Sequence, residues 1–121
     1  MIHHLVAASD WRGAGPRTYA PPSLESDGFV HCAGDLATVL EVANRFYRHV
    51  PGEVLVLDVA EERLSAPVRW EAPAPPDGSS AGPDDRCFPH VYGPIDLCAV
   101  VEVRRFVRDP DGTYLGIDRT W

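Results

Sequence analysis

One stretch of this chain, and no other, carries a sustained helical period. Leu36, Val39, Leu40, Ala43, Phe46, Tyr47 and Val50 recur at spacings of three and four, so they line one helix face. Gly34-Asp35 supplies the start signal, with Asp35 able to cap the first turn, and Pro51-Gly52 ends the helix. Glu41, Asn44, Arg45 and Arg48 fall on the opposite, polar face. His49, near the C-terminal end, complements the helix dipole there. The rest of the core must come from short elements, and 12 Pro and 10 Gly in 121 residues call for many turns.

Strand patterns cover Ile2 to Ala7, Gly28 to Cys32, Glu53 to Val59, Val68 to Glu71, Cys87 to Val91 and Leu97 to Val107. Asp109-Pro110-Asp111-Gly112 is a turn, which makes Thr113 to Ile117 a returning hairpin strand. Between these lie smaller pieces. Ser9 or Asp10 caps a short helix through Trp11 and Arg12 that Gly13 to Pro16 stops. Arg17 to Ala20 is extended, Ser23 to Ser26 is one helical turn, and Glu61 to Leu64 is a turn. Residues 72–86 have neither period and read as a long loop. The sum is one α+β domain over 1–121, with a mostly antiparallel sheet, one main helix and a C-terminal hairpin extension at 108–121.

Composition then narrows the chemistry. All 11 positive charges are Arg; there is no Lys. That excludes lysine Schiff bases, a pyridoxal phosphate linkage and a Walker A phosphate loop. The net charge of −7 argues against a general nucleic-acid partner. No apolar run reaches the ~20 residues of a membrane span. The first residues, Met1 to Val6, read as a strand and not as a signal peptide, so a cytoplasmic location is expected. Cys32, Cys87 and Cys98 are odd in number and far apart, as free thiols would be.

The groups left to do chemistry are imidazoles, carboxylates and arginines. His3 and His4 are neighbours on a strand, so they point to opposite faces and only one can line a cavity. His31 in Asp27-Gly28-Phe29-Val30-His31-Cys32 and His90 in Phe88-Pro89-His90-Val91-Tyr92-Gly93-Pro94 sit at strand ends beside turn formers, where pocket mouths form. In Arg69-Trp70-Glu71 the two charged residues share one strand face and Trp70 takes the other. Glu71 is a candidate catalytic carboxylate or an ion-pair partner, and Arg45 a clamp for phosphate or carboxylate or a solvated charge. No H-x-H or H-x-x-x-H pair is present, so a metal site would need tertiary convergence and none is expected. A cysteine nucleophile, Cys32 or Cys87 with His31 or His90, is disfavoured because strand neighbours point apart.

The motif set Ile2-His3-His4-Leu5, Tyr19-x-Pro21-Pro22-Ser23-Leu24, Asp27 to Cys32, Ala43 to Tyr47, Leu55 to Asp58, Arg69-Trp70-Glu71, Phe88 to Ile95 and Ala99 to Val101 resembles the DUF952 family over roughly residues 2–107. The family in turn is distantly similar to the ADP-ribosyltransferase-like and RNA 2′-phosphotransferase fold. The resemblance implies a split, mostly antiparallel sheet with a cleft. His4 matches the first-strand histidine, His31 the Gly-Phe-x-His histidine, His90 the Phe-Pro-His histidine and Glu71 the Trp-Glu carboxylate. Asn44 and Arg45 match the Asn-Arg pair. Loop 72–86 is longer than the family core needs.

The expectation is therefore a small enzyme with a His-lined cleft acting on an NAD-derived or other anionic small molecule. Its catalytic candidates are His4, His31, His90 and Glu71. Its binding candidates are Asn44, Arg45, Arg69, Trp70, Tyr92 and Tyr19. NAD is the one cofactor in view; a small-molecule substrate and a homodimer are the partners considered. The competing expectations are a His-based acid–base enzyme without NAD (isomerase, dehydratase or cyclase type) and a non-catalytic small-molecule-binding domain.

Overall fold

The computed structural model describes residues 1–75 and 86–118. The chain runs through strand β1 (Ile2–Ala7), helix α1 (Ala8–Arg12), strand β2 (Thr18–Tyr19), helix α2 (Pro22–Asp27), strand β3 (Val30–His31) and helix α3 (Leu36–Phe46). It continues through β4 (Val54–Val59), β5 (Val68–Glu71), β6 (Phe88–Val91), β7 (Ile95–Asp96), β8 (Val100–Arg108) and β9 (Tyr114–Ile117). Every strand pairing is antiparallel, in three sheets of order β1-β4-β8-β9, β3-β6-β5 and β2-β7. The result is the expected α+β domain with few helices.

The register of the four-stranded sheet explains its two cores. Residues directly opposite on paired strands share a face. Leu5 lies against Val56, and with Val54, Tyr114 and Phe106 it meets Val39 and Ala43 of α3. Ile2, Val6, Leu55, Leu57 and Val59 point the other way, onto Tyr19, Val30, Val91 and Ile95 from the smaller sheets. Strand β4 is covered on both sides, so Val-Leu-Val-Leu-Asp-Val is buried at every position. Each buried Val or Leu contributes roughly 1.5–3 kcal/mol, which makes β4 the spine of the fold.

Local expectations were corrected where tertiary contacts compete. Helix α3 ends at Phe46, short of Val50. The Tyr47 carbonyl accepts from the Tyr114 hydroxyl at 2.8 Å and the Arg48 carbonyl from the Arg108 guanidinium at 2.9 Å. Side chains from the β8–β9 hairpin thus replace further helical turns, and His49 lies beyond the helix. Gly112, at φ 96° in the hairpin turn, would place a Cβ only 2.9 Å from the Arg48 carbonyl, so that turn must be glycine.

Helix α1 begins at Ala8 and carries no side-chain cap; neither Ser9 nor Asp10 precedes it. Leu97–Ala99 form a 3-10 turn ahead of β8, not its first residues. Asp35 does cap α3, accepting from the Thr38 N–H at 2.7 Å. Of the loop expected at 72–86, residues 76–85 lie outside the described residues, as do 119–121 of the C-terminal extension.

Candidate functional site

His3 and His4 take opposite faces of β1, as strand geometry requires. His3 sits opposite Asp58, and its Nδ1 meets Asp58 Oδ1 at 2.8 Å. The other Asp58 oxygen accepts from Arg104 Nε at 2.7 Å, and Arg104 reaches on to Glu102. His4 faces the smaller sheets. It donates its Nδ1–H to the His31 carbonyl at 2.7 Å, and its ring lies 5.9 Å from that of Tyr19. Burial lowers the His4 pKa from 6.5 to about 4 against the raising effect of that bond, so it is neutral at pH 7. Burial likewise raises the Tyr19 phenol to about 12.

The three-stranded sheet assembles the remaining candidates. His31 is opposite His90, and His90 is opposite Arg69. One sheet face therefore presents His31, His90, Arg69 and, two residues along β5, Glu71. His90 Nδ1 meets Glu71 Oε1 at 2.9 Å, and the Tyr92 hydroxyl donates to the same oxygen at 2.5 Å. The Tyr92 and His90 hydrogen bonds hold the Glu71 carboxyl below its ordinary range, and Glu71 raises the Tyr92 phenol. The Arg69 guanidinium lies 4.9 Å from the centre of the Tyr92 ring.

Two residues that the sequence reading left out of the site belong to it. Asp27 Oδ2 meets His31 Nε2 at 2.8 Å. The contact exists because Gly28, at φ 83°, ends α2 in the left-handed conformation and turns the chain straight into β3. Phe29 stacks on the His90 ring at 4.1 Å and touches His31 at 4.7 Å. The Asp27-Gly28 turn was the visible signal for the first. No local signal marks the second.

His31 and His90, 5.9 Å apart ring to ring, line a cleft. Leu5, Val42, Phe46 and Phe88 give it apolar walls, and Arg45 and the Arg86–Glu41 ion pair give it charge. Arg45 makes no hydrogen bond or ion pair among the described residues; its guanidinium rests over the Phe46 ring at 5.0 Å. A second cleft, lined by His4, Tyr19, Asp10 and Pro21, adjoins the first, with His31, Leu5 and Tyr47 common to both.

Arg69, Glu71 and Tyr92 do not themselves line this cleft, and Asn44 and Trp70 are not brought to it. Asn44 spends both ends of its amide on the Tyr114 backbone, at 3.0 and 2.8 Å, which ties α3 to β9. Trp70, on the opposite face of β5 from Glu71 and 48% exposed, lies over Gly34 at the start of α3. Cys32 is buried, which raises its thiol pKa, while Cys87 and Cys98 are exposed. No group of three or more His, Cys, Asp or Glu side chains able to hold a metal ion occurs among the described residues. No helix among the described residues is long and apolar enough to cross a membrane.

Known proteins agree with this architecture. The chain is similar to protein CC0527 from Caulobacter crescentus, with a TM-score of 0.74 and 24% identity, covering 93% of this chain and 91% of that one. A double-methionine variant of CC0527 gives 0.73 and 23% over the same shares. No curated protein matches the chain. The family model for DUF952, described as a protein of unknown function, matches residues 5–103. That span takes in His31, Arg45, Glu71, His90 and Tyr92, and starts just after His4. With most of its length matched, the chain belongs to the DUF952 family.

Proposed function

We propose that this protein is a small enzyme that binds an anionic small molecule in the His31–His90 cleft and uses His90 as a general acid–base. The observation that carries the reading is the Glu71–His90 couple. One ring nitrogen of His90 is fixed at 2.9 Å on an ionised carboxylate, and its residue lines a cleft whose rim carries Arg45, unpaired among the described residues. A carboxylate in that place orients the imidazole and stabilises the imidazolium formed when it takes a proton. Arg45 supplies the complementary charge for a phosphate or carboxylate. Free cysteines fit a reducing compartment, which supports the cytoplasm as its place of action.

A second reading rests on His4 beside Tyr19, from the first two strands, with His90 in the third position. The first two positions support an ADP-ribosyltransferase-like cleft and an NAD-derived ligand, and His90 in the third departs from the Glu that such clefts often carry. Calorimetric titration with NAD, ADP-ribose and inorganic phosphate separates the two. Binding of the nucleotides, lost in Tyr19→Ala, is expected of the second reading. Phosphate binding lost in Arg45→Ala, with silence toward millimolar nucleotide, is expected of the first. Silence toward all three removes both.

A further inference from the structure

We infer that the imidazoles of the cleft present hydrogen-bond acceptors between its apolar walls, and that the ligand it fits is a small anion that also carries hydroxyl groups. The inference rests on the anion-binding reading above and adds the second half of the ligand. It follows from which groups can only accept hydrogen bonds. Ionised Asp27 and Glu71 have no proton to give, and neither has the His31 carbonyl. Each neutral imidazole must therefore turn its single N–H inward: His31 through Nε2, His90 through Nδ1 and His4 through Nδ1. The nitrogens left over are lone pairs: Nδ1 of His31 and Nε2 of His90, whose residues line the first cleft, and Nε2 of His4, which lines the second. None of them has a hydrogen-bond partner among the described residues.

Tyr92 cannot supply the missing donor, since its hydroxyl hydrogen is committed to Glu71. Arg45 is the donor at the rim, and it asks for negative charge. An anion without hydrogens would satisfy Arg45 and set its own lone pairs against those of the imidazoles. A hydroxyl-bearing anion, such as a polyol phosphate or a hydroxy-carboxylate, satisfies both. Chemistry on such a ligand begins with a base. The hydroxyl O–H breaks, its proton moves to Nε2 of His90, the electron pair stays on oxygen, and Glu71 holds the imidazolium. Asp27 and Glu71 are positioning residues in this scheme: they act by fixing which nitrogen is free.

Nitrogen-15 spectra of the imidazoles, on the full chain at pH 8.5, read the tautomers directly. The expected result is a protonated Nε2 on His31 and a protonated Nδ1 on both His90 and His4. A reversed tautomer at His31 or His90 overturns the inference. Calorimetry with glycerol 3-phosphate and n-propyl phosphate, equal in charge and chain length, reads the ligand. The hydroxylated probe is expected to bind at least ~5-fold tighter, the effect of about one hydrogen bond. Asp27→Asn, whose amide can donate as well as accept, should release the His31 tautomer and reduce that preference by more than it reduces n-propyl phosphate binding; a purely structural role would weaken both probes alike. Equal affinities in the parent protein overturn the hydroxyl preference and leave the anion cleft standing. Binding of neither probe removes the anion cleft, and this inference with it.

Discussion

Two of the imidazole–carboxylate pairs among the described residues are nearly equal in length and do different work. His3 and Asp58 meet at 2.8 Å, His90 and Glu71 at 2.9 Å. The Asp58 side chain is 4% exposed, and both its oxygens are occupied, by His3 and by Arg104. The Glu71 side chain is 37% exposed, and its partner His90 lines a cleft. A saturated buried pair is scaffolding, because any change leaves an uncompensated charge. A pair whose imidazole lines a cleft is equipment, because a ligand can reach it. Distance alone does not tell the two apart; saturation and access do.

The contrast can be broken most sharply at Asp58. Asp58→Ala strands His3 and Arg104 in the sheet, and urea unfolding should show a loss of about 3–5 kcal/mol. A loss below about 1 kcal/mol would mean that this pair is no more structural than the other.

His4 tests the cost of placing an imidazole between the two regions. Its pKa in the folded chain, about 4, lies below the ordinary imidazole value of 6.5. Below pH 6.5 the unfolded chain takes up a proton that the folded chain refuses. Stability is therefore full above pH 6.5 and falls as the pH drops toward 4, by up to about 3 kcal/mol. His4→Gln should flatten this part of the pH profile, measured by unfolding at a series of pH values; an unchanged slope would place its cause elsewhere.

Asn44 extends the scaffold side of the comparison. Asn44→Ala removes two hydrogen bonds to Tyr114 and should cost about 2 kcal/mol, with faster hydrogen exchange at the Tyr114 amide. If stability held while ligand binding was lost, Asn44 would belong with the site instead.

Glu71→Gln is the smallest stability effect expected and the largest functional one. The melting temperature should stay where it is. Turnover of an identified substrate should fall ~100-fold or more, with the pH–rate limb due to His90 displaced. A fall in melting temperature as large as that of Asp58→Ala would erase the distinction between the two pairs.

Much of the backbone was legible locally. The i, i+3, i+4 period gave α3 its start and its buried face, and alternation or apolar runs gave β1, β4 and β5. The α3 end was not legible, because its last carbonyls are taken by Tyr114 and Arg108, more than 55 residues away in the chain. His31, His90 and Glu71 were legible as candidates, since histidines beside turn formers and a Trp-Glu strand stand out. Asn44 and Trp70 were drawn to the site by their neighbours in sequence. In the fold, the first is a clamp on β9 and the second lies on the far face of β5.

The sequence by itself determined the α+β class, the single long helix, the opposed faces of His3 and His4 and the shared face of Arg69 and Glu71. These depend on the period of a helix or strand, which is a property of neighbouring residues. Only the tertiary structure decided that His90 sits opposite both His31 and Arg69, that Asp27 and Glu71 each hold one imidazole, and that Asp58 is saturated while Glu71 is not. Strand register and burial set those relations. Both arise from contacts between distant segments, and no local period encodes them.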